Sequence, residues 1–122
     1  MEARRRVLFV DDNADIAGAY AAILTHHDFD VLTASDGASA LEIAFRFRPD
    51  VVVMDLWMPA MDGFDTTRAL KADPRTEQTP VIAFTSLGYT ERKAKDAGCD
   101  AFLRKGGAPE ELLNVIRSFL PR

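Results

Sequence analysis

Asp11, Asp12, Asp55, Thr85 and Lys105 are the side chains of this 122-residue chain best suited to act together on charge. Three carboxylates drawn within a few ångströms repel one another, so a site built from them takes up protons or holds a cation. Hard oxygen ligands of this kind suit Mg²⁺ or Mn²⁺, which accept a few carboxylates, waters and a phosphate. Thr85 offers a hydroxyl donor. Lys105 offers a positive point charge for a phosphoryl oxygen or a carboxylate. An aspartate so placed can attack phosphorus and form an acyl phosphate while the cation and lysine neutralise the developing charge. Other chemistries lack their parts. The sequence has no G-x-x-x-x-G-K-[ST] loop and no G-x-G-x-x-G, so a bound nucleotide is not expected. His26 and His27 are the only histidines and are far from the single Cys99, so zinc is not expected either.

These residues lie far apart in sequence, and the fold must bring them together. Short apolar runs alternate with helical patterns. Arg6–Val10 reads as a strand that stops at Asp11-Asp12-Asn13. Ile16, Tyr20, Ile23 and Leu24 then recur at helical spacing, with Asp12 or Asn13 as the candidate cap. Asp30–Ala34 is a second strand, followed by a helix over 38–47 that carries Leu41, Ala44 and Phe45 on one side and ends at Pro49. Val51–Met54 is a third strand, Asp62-Gly63 a turn, and 64–71 a helix. Pro74 and Pro80 bracket a polar loop before a strand over 81–84 and a modest helix over 89–97, stopped by Gly98. A strand over 101–103 precedes a last helix opened by Pro109, with Leu112, Leu113, Ile116, Phe119 and Leu120 on one face.

Five strand–helix repeats argue for an α/β fold with a parallel sheet and helices on both faces. Continuous apolar runs such as Val51–Met54 suit strands buried on both sides. The charged and hydroxyl residues all fall just past strand ends. In an open α/β sheet that carboxyl edge is where ligands bind.

Composition adds limits. The hydrophobic share of 48% is enough for one core, and the net charge is −4, with no basic footprint for direct nucleic-acid binding. Arg4-Arg5-Arg6 reads as a solvated lead-in to the first strand. Cys99, among small residues, reads as a packed apolar side chain, and the two histidines as a solvated helix end. With one cysteine, no leader and no apolar run long enough for membrane insertion, the cytoplasm is the expected location.

At this point the sequence resembles the receiver domain of two-component response regulators. The resemblance rests on Asp11-Asp12, "DLWMPAMDG" from Asp55 to Gly63, Thr85-Ser86, "AGCDAFLRK" from Ala97 to Lys105, and "PEELL" from Pro109. It covers nearly the whole chain, and residues 1–122 are expected to form a single receiver domain with no output domain in this chain. The resemblance implies a flavodoxin-like (βα)5 fold with strand order 2-1-3-4-5. It implies Asp55 as phosphoacceptor, Mg²⁺ held by Asp11, Asp12, Asp55 and the Trp57 carbonyl, and Thr85 and Lys105 on the phosphoryl group. Phe102 matches the aromatic that moves inward when Thr85 shifts. The implied partners are a sensor histidine kinase or histidine phosphotransfer protein, and a downstream protein or covalently linked domain. The face made by the fourth helix, fifth strand and fifth helix would signal to the latter.

Several positions depart from the family pattern. Gly106 stands where proline is usual, so a trans bond is expected after Lys105. The segment from Thr85 to Gly98 is short, which predicts a short or displaced fourth helix. Ser86 stands where alanine or glycine is common, and Phe102 lacks the hydroxyl of the frequent tyrosine. Trp57 and Leu87 lie two residues beyond Asp55 and Thr85, where bulk would slow a hydrolytic water. Two rival readings carry different expectations. A haloacid-dehalogenase-type phosphatase would place D-x-D at the first strand end, where this chain has Asp11-Asp12-Asn13-Ala14. A receiver-like interaction module acting without phosphorylation would not need the complete acidic set.

Overall fold

The computed structural model describes residues 4–86 and 91–121. Five strands, β1 (Arg6–Val10), β2 (Asp30–Ala34), β3 (Val51–Met54), β4 (Val81–Thr85) and β5 (Ala101–Arg104), alternate with α1 (Ala14–His26), α2 (Gly37–Phe47), α3 (Gly63–Ala72), α4 (Glu91–Ala97) and α5 (Pro109–Ser118). All strand pairs are parallel, in the order β2-β1-β3-β4-β5. The order reverses between β1 and β3, so a crevice opens at their carboxyl ends.

Side-chain alternation along the strands builds two cores. Leu8, Val10, Val52, Met54, Val81 and Ala83 face one side with Ala40, Ala44, Phe64, Leu70 and Ala94. Val7, Phe9, Val51, Val53, Ile82 and Phe84 face the other with Ala17, Leu24, Leu112, Leu113 and Ile116. Helices α2, α3 and α4 therefore cover the first face, and α1 and α5 the second. All of β3 is buried, each such aliphatic side chain contributing about 1.5–3 kcal/mol.

Caps set the helix starts. Asn13, not Asp12, caps α1 by accepting from the N–H groups of Asp15 and Ile16. Asp36 accepts from Ser39 N–H, which starts α2 at Gly37, one residue earlier than its periodicity indicates. Asp62 accepts from Asp65 N–H and likewise starts α3 at Gly63. A Cβ at Gly63 would lie 2.3 Å from the Asp55 carbonyl oxygen, so only glycine lets α3 begin against the end of β3.

Strands β4 and β5 each run one residue further than their apolar runs, because Thr85 pairs with Arg104. The first residues expected for the fourth helix, Tyr89 and Thr90, lie outside the described residues. The described part of that helix has seven residues, Glu91–Ala97, and the expectation of a short or displaced fourth helix falls partly on residues outside the described ones. Phe45 departs from expectation. It is only half-buried, and the Arg75 guanidinium lies 3.8 Å from its ring centroid while Ala40 and Ala44 form the core face. Phe119 falls just past α5 as its C-cap, yet both it and Leu120 still pack on the core. His26 and His27 are exposed and Cys99 is buried, as expected.

Candidate functional site at the carboxyl edge of the sheet

The Asp11 N–H donates to Ala34 O at 3.0 Å, so the β1–β2 pairing holds its backbone one residue past the strand. Its side chain is 1% exposed. Oδ1 accepts the Asn13 N–H at 2.9 Å, and Oδ2 accepts Lys105 Nζ at 2.5 Å. The turn is thereby fixed at both ends, by Asp11 inside and the Asn13 cap outside, and Asp12 is left exposed.

Asp55 is fixed in the same manner. Its N–H donates to Val10 O at 2.9 Å, and the residue is 6% exposed. Oδ1 accepts the Trp57 N–H at 3.4 Å, and Oδ2 lies 3.7 Å from Lys105 Nζ. Asp11, Asp12 and Asp55 each offer a carboxylate oxygen, all within 4.8 Å of one another. Burial pushes the Asp55 carboxyl up to about 6. Lys105 and the Trp57 N–H oppose that rise, and the charges of Asp11 and Asp12 add to it. One lysine is too little positive charge for three acids, and a divalent cation would supply the remainder.

Thr85 ends β4, beside β3. Its backbone carbonyl accepts the Lys105 N–H at 2.9 Å, which ties the lysine to the same edge. Its side chain is 0% exposed and its hydroxyl has no hydrogen-bond partner among the described residues. Leaving such a group unpaired costs about 1–3 kcal/mol. A buried donor without a described partner, at the same edge as an acidic, cation-seeking cluster, fits an anion whose charge a cation held by that cluster would offset.

The expected site residues are therefore brought to one edge. Asp11, Asp12, Asp55 and Lys105 form one cluster, with Thr85 on the neighbouring strand. Ser86 follows Thr85 and is exposed; Leu87 lies outside the described residues. Trp57 presents its N–H to Asp55, while its ring is 47% exposed and stands edge-on to Phe64 at 6.3 Å. The ring lines a groove between α3 and α4 with Asp62, Arg68, Lys93 and Asp96. Phe102 is half-buried on β5, against the core face covered by α2, α3 and α4. All described peptide bonds are trans, and Gly106 turns the chain after Lys105 with φ +98°. Two supporting residues gave only indirect signals in the sequence. Gly63 appeared there as part of an Asp-Gly turn, and Asn13 as one of two possible caps.

Comparison with known proteins agrees with this geometry. The sequence profile of the response regulator receiver domain matches residues 7–117. The DNA-binding dual master transcriptional regulator RpaA of Synechocystis is 34% identical over 119 residues, covering 96% of this chain and 49% of that protein. The chain thus spans about half the length of that relative. The Vibrio cholerae chemotaxis protein CheY4 superposes with a TM-score of 0.91 at 32% identity, covering 97% of this chain and 100% of that one. The receiver domain of the sensor histidine kinase PA1611 from Pseudomonas aeruginosa, solved with magnesium coordinated in its active-site cleft, gives 0.88 at 28% identity, covering 96% and 98%. No described helix is long and apolar enough to cross a membrane. With its sequence match, its strand order and its acidic carboxyl edge in agreement, the chain belongs to the response regulator receiver domain family.

Proposed function

We propose that this protein is a phospho-accepting switch in which Asp55 takes a phosphoryl group from a sensor histidine kinase or a histidine phosphotransfer protein. The observation that carries this reading is the fully buried Thr85 hydroxyl, unpaired among the described residues, at the same edge as the Asp11–Asp12–Asp55 cluster and Lys105. Asp11, Asp12, Asp55 and the Trp57 carbonyl would hold Mg²⁺ or Mn²⁺, which supplies charge neutralisation for an in-line transfer. The chain's own residues do the rest. Asp55 is held by its N–H bond to Val10 O, with Oδ1 at the Trp57 N–H and Oδ2 toward Lys105. Lys105 already bridges Asp11 and Asp55, and meets the phosphoryl oxygens at the same place. Thr85 gains the acceptor it lacks.

The phosphoryl group adds about −1.5 to −2 charge and strong acceptor oxygens. Thr85 moves toward it, Phe102 turns into the space beside β4, and the α4–β5–α5 face changes shape for a downstream protein or a linked domain. The reaction is the protein's own phosphorylation and slow dephosphorylation, carried out in the cytoplasm, rather than turnover of free substrate. Trp57 shields the approach to Asp55 and prolongs the phosphorylated state.

Beryllofluoride, a phosphoryl mimic, tests the switch through Trp57 fluorescence. Saturable fluorescence change is expected only when Mg²⁺ and beryllofluoride are both present. No change with both would favour an interaction module that works without phosphorylation.

A further inference from the structure

The opposite, amino-terminal edge of the sheet carries a concentration of arginines that the switch reading does not use. Arg4, Arg5 and Arg6 lead into β1, and Arg48 follows α2; with Asp50 they line an open pocket of about 220 Å³. All four arginines are exposed. Three are anchored by backbone carbonyls rather than by acids. Arg6 Nη1 donates to Phe47 O at 2.8 Å, Arg48 Nε to Phe45 O at 3.1 Å, and Arg5 Nη2 to Pro121 O at 3.4 Å. Among the described ion pairs, Arg46, Arg68, Lys71, Arg75 and Lys105 each face a carboxylate, and none of these four arginines does. The one acid lining the pocket, Asp50, spends Oδ2 on the Arg6 N–H at 2.7 Å. Asp73, whose carboxyl Arg48 helps to lower, is already held by Arg75 at 2.8 Å. Four arginines thus stand against the single carboxylate of Asp50, which leaves the pocket with an excess of positive charge.

Arg48 gives an independent sign. It caps α2 in the left-handed region, with φ +54°. Glycine or asparagine fits that position with less strain. A bulky cation stands where the backbone disfavours it, and that residue lines the pocket.

From this arrangement we infer a second binding site, for a compact diphosphate-class anion held between the Arg4–Arg6 segment and Arg48. Arg4 and Arg6 from the lead-in to β1 and Arg48 from the end of α2 line one pocket, so more than one guanidinium is available to two linked phosphates, and each fork can bind phosphate oxygens in pairs. The net charge of −4 makes a long polyanion a poor fit, because repulsion from the rest of the surface acts beyond the pocket. Inorganic pyrophosphate and the diphosphate of a nucleotide share the required chemistry.

The test is calorimetric titration of the full chain with pyrophosphate and with ADP, in chelator and at constant ionic strength, so that the acidic edge cannot recruit a metal–phosphate. Pyrophosphate is expected to bind more tightly than sulfate, with amide NMR shifts centred on Arg6, Phe47 and Arg48. Tighter binding of ADP would assign a nucleotide; equal binding would assign the diphosphate alone. Arg48→Gly relieves the left-handed backbone, so it is expected to fold at least as well while weakening pyrophosphate about tenfold. Arg4→Gln is a second variant, away from the helix cap and exposed beside the same pocket, with the same expected direction. Pyrophosphate no tighter than sulfate, or undiminished in both folded variants, would overturn the inference.

Discussion

Both ends of this sheet place carboxylates beside lysine, and they treat them in opposite ways. At the amino edge, Asp100 Oδ2 accepts the Val81 N–H and Lys71 Nζ, each at 2.8 Å, and Lys71 also donates to Thr79 O at 2.9 Å. Asp50 there accepts the Arg6 N–H. Each acid meets a strand's first N–H, a donor the ladder leaves free. At the carboxyl edge, Asp11 and Asp55 share one lysine and two loop N–H groups, Asp12 is exposed beside them, and the Thr85 hydroxyl has no partner among the described residues. The same residue types act as fasteners at one edge and as an unsatisfied binding site at the other. Stability is given up where chemistry is to happen, and secured where it is not.

That contrast makes opposite predictions for removing an acid. The largest effect is expected at Asp55. Its raised pKa means that the folded state holds a proton the unfolded chain has already lost between about pH 4 and pH 6. Stability of the metal-free protein should therefore fall as pH rises through that window, and stay low above it. Asp55→Asn should remove the decline and stabilise the metal-free protein at neutral pH by about 2–3 kcal/mol, because each tenfold change in proton affinity is worth about 1.4 kcal/mol. Urea unfolding at several pH values in chelator checks this, and a flat wild-type profile would erase the distinction between the edges.

A smaller effect of opposite sign is expected at the amino edge. Asp100→Ala strands the Val81 N–H and Lys71, and should destabilise the fold by about 1–3 kcal/mol, read by the same unfolding experiment. Phosphoryl labelling of the folded variant should be unchanged; lost labelling in a folded Asp100→Ala would show that the two edges are not separable. The smallest effect concerns the lifetime of the phosphorylated state. Trp57→Asn should speed phosphate release by roughly a few-fold, equivalent to about 1 kcal/mol in the barrier. Equal release rates would leave the exposed ring with no part in shielding Asp55.

Much of the fold was legible because local signals agreed with the global one. Arg6–Val10, Asp30–Ala34 and Val51–Met54 are apolar runs with clear stops, and they form strands with those bounds. Boundaries set by caps and by partner strands were less so. Gly37 and Gly63 begin helices because Asp36 and Asp62 cap them, and Thr85 and Arg104 extend strands because they pair with each other. In the site, which residues meet was readable from where strands end. Which partner each takes was not, since it depends on side-chain rotamers. Lys105 sits closer to Asp11 than to Asp55, the Trp57 ring stands edge-on to Phe64, and the Thr85 hydroxyl is left without a partner among the described residues. The arginine pocket was hidden for a similar reason. Arg48 is separated from Arg4–Arg6 by more than 40 residues and is brought beside them by the β1–β3 pairing and by the bond from Arg6 to Phe47 O.

Phosphoryl labelling with acetyl phosphate, compared between the wild type and Asp55→Asn, bears most directly on the central claim. With Mg²⁺ present, the wild-type chain should acquire a base-labile phosphoryl group that maps to Asp55. Chelator should prevent it, and Asp55→Asn should acquire none. Base-labile labelling that persists in Asp55→Asn would contradict the assignment of Asp55 as the acceptor.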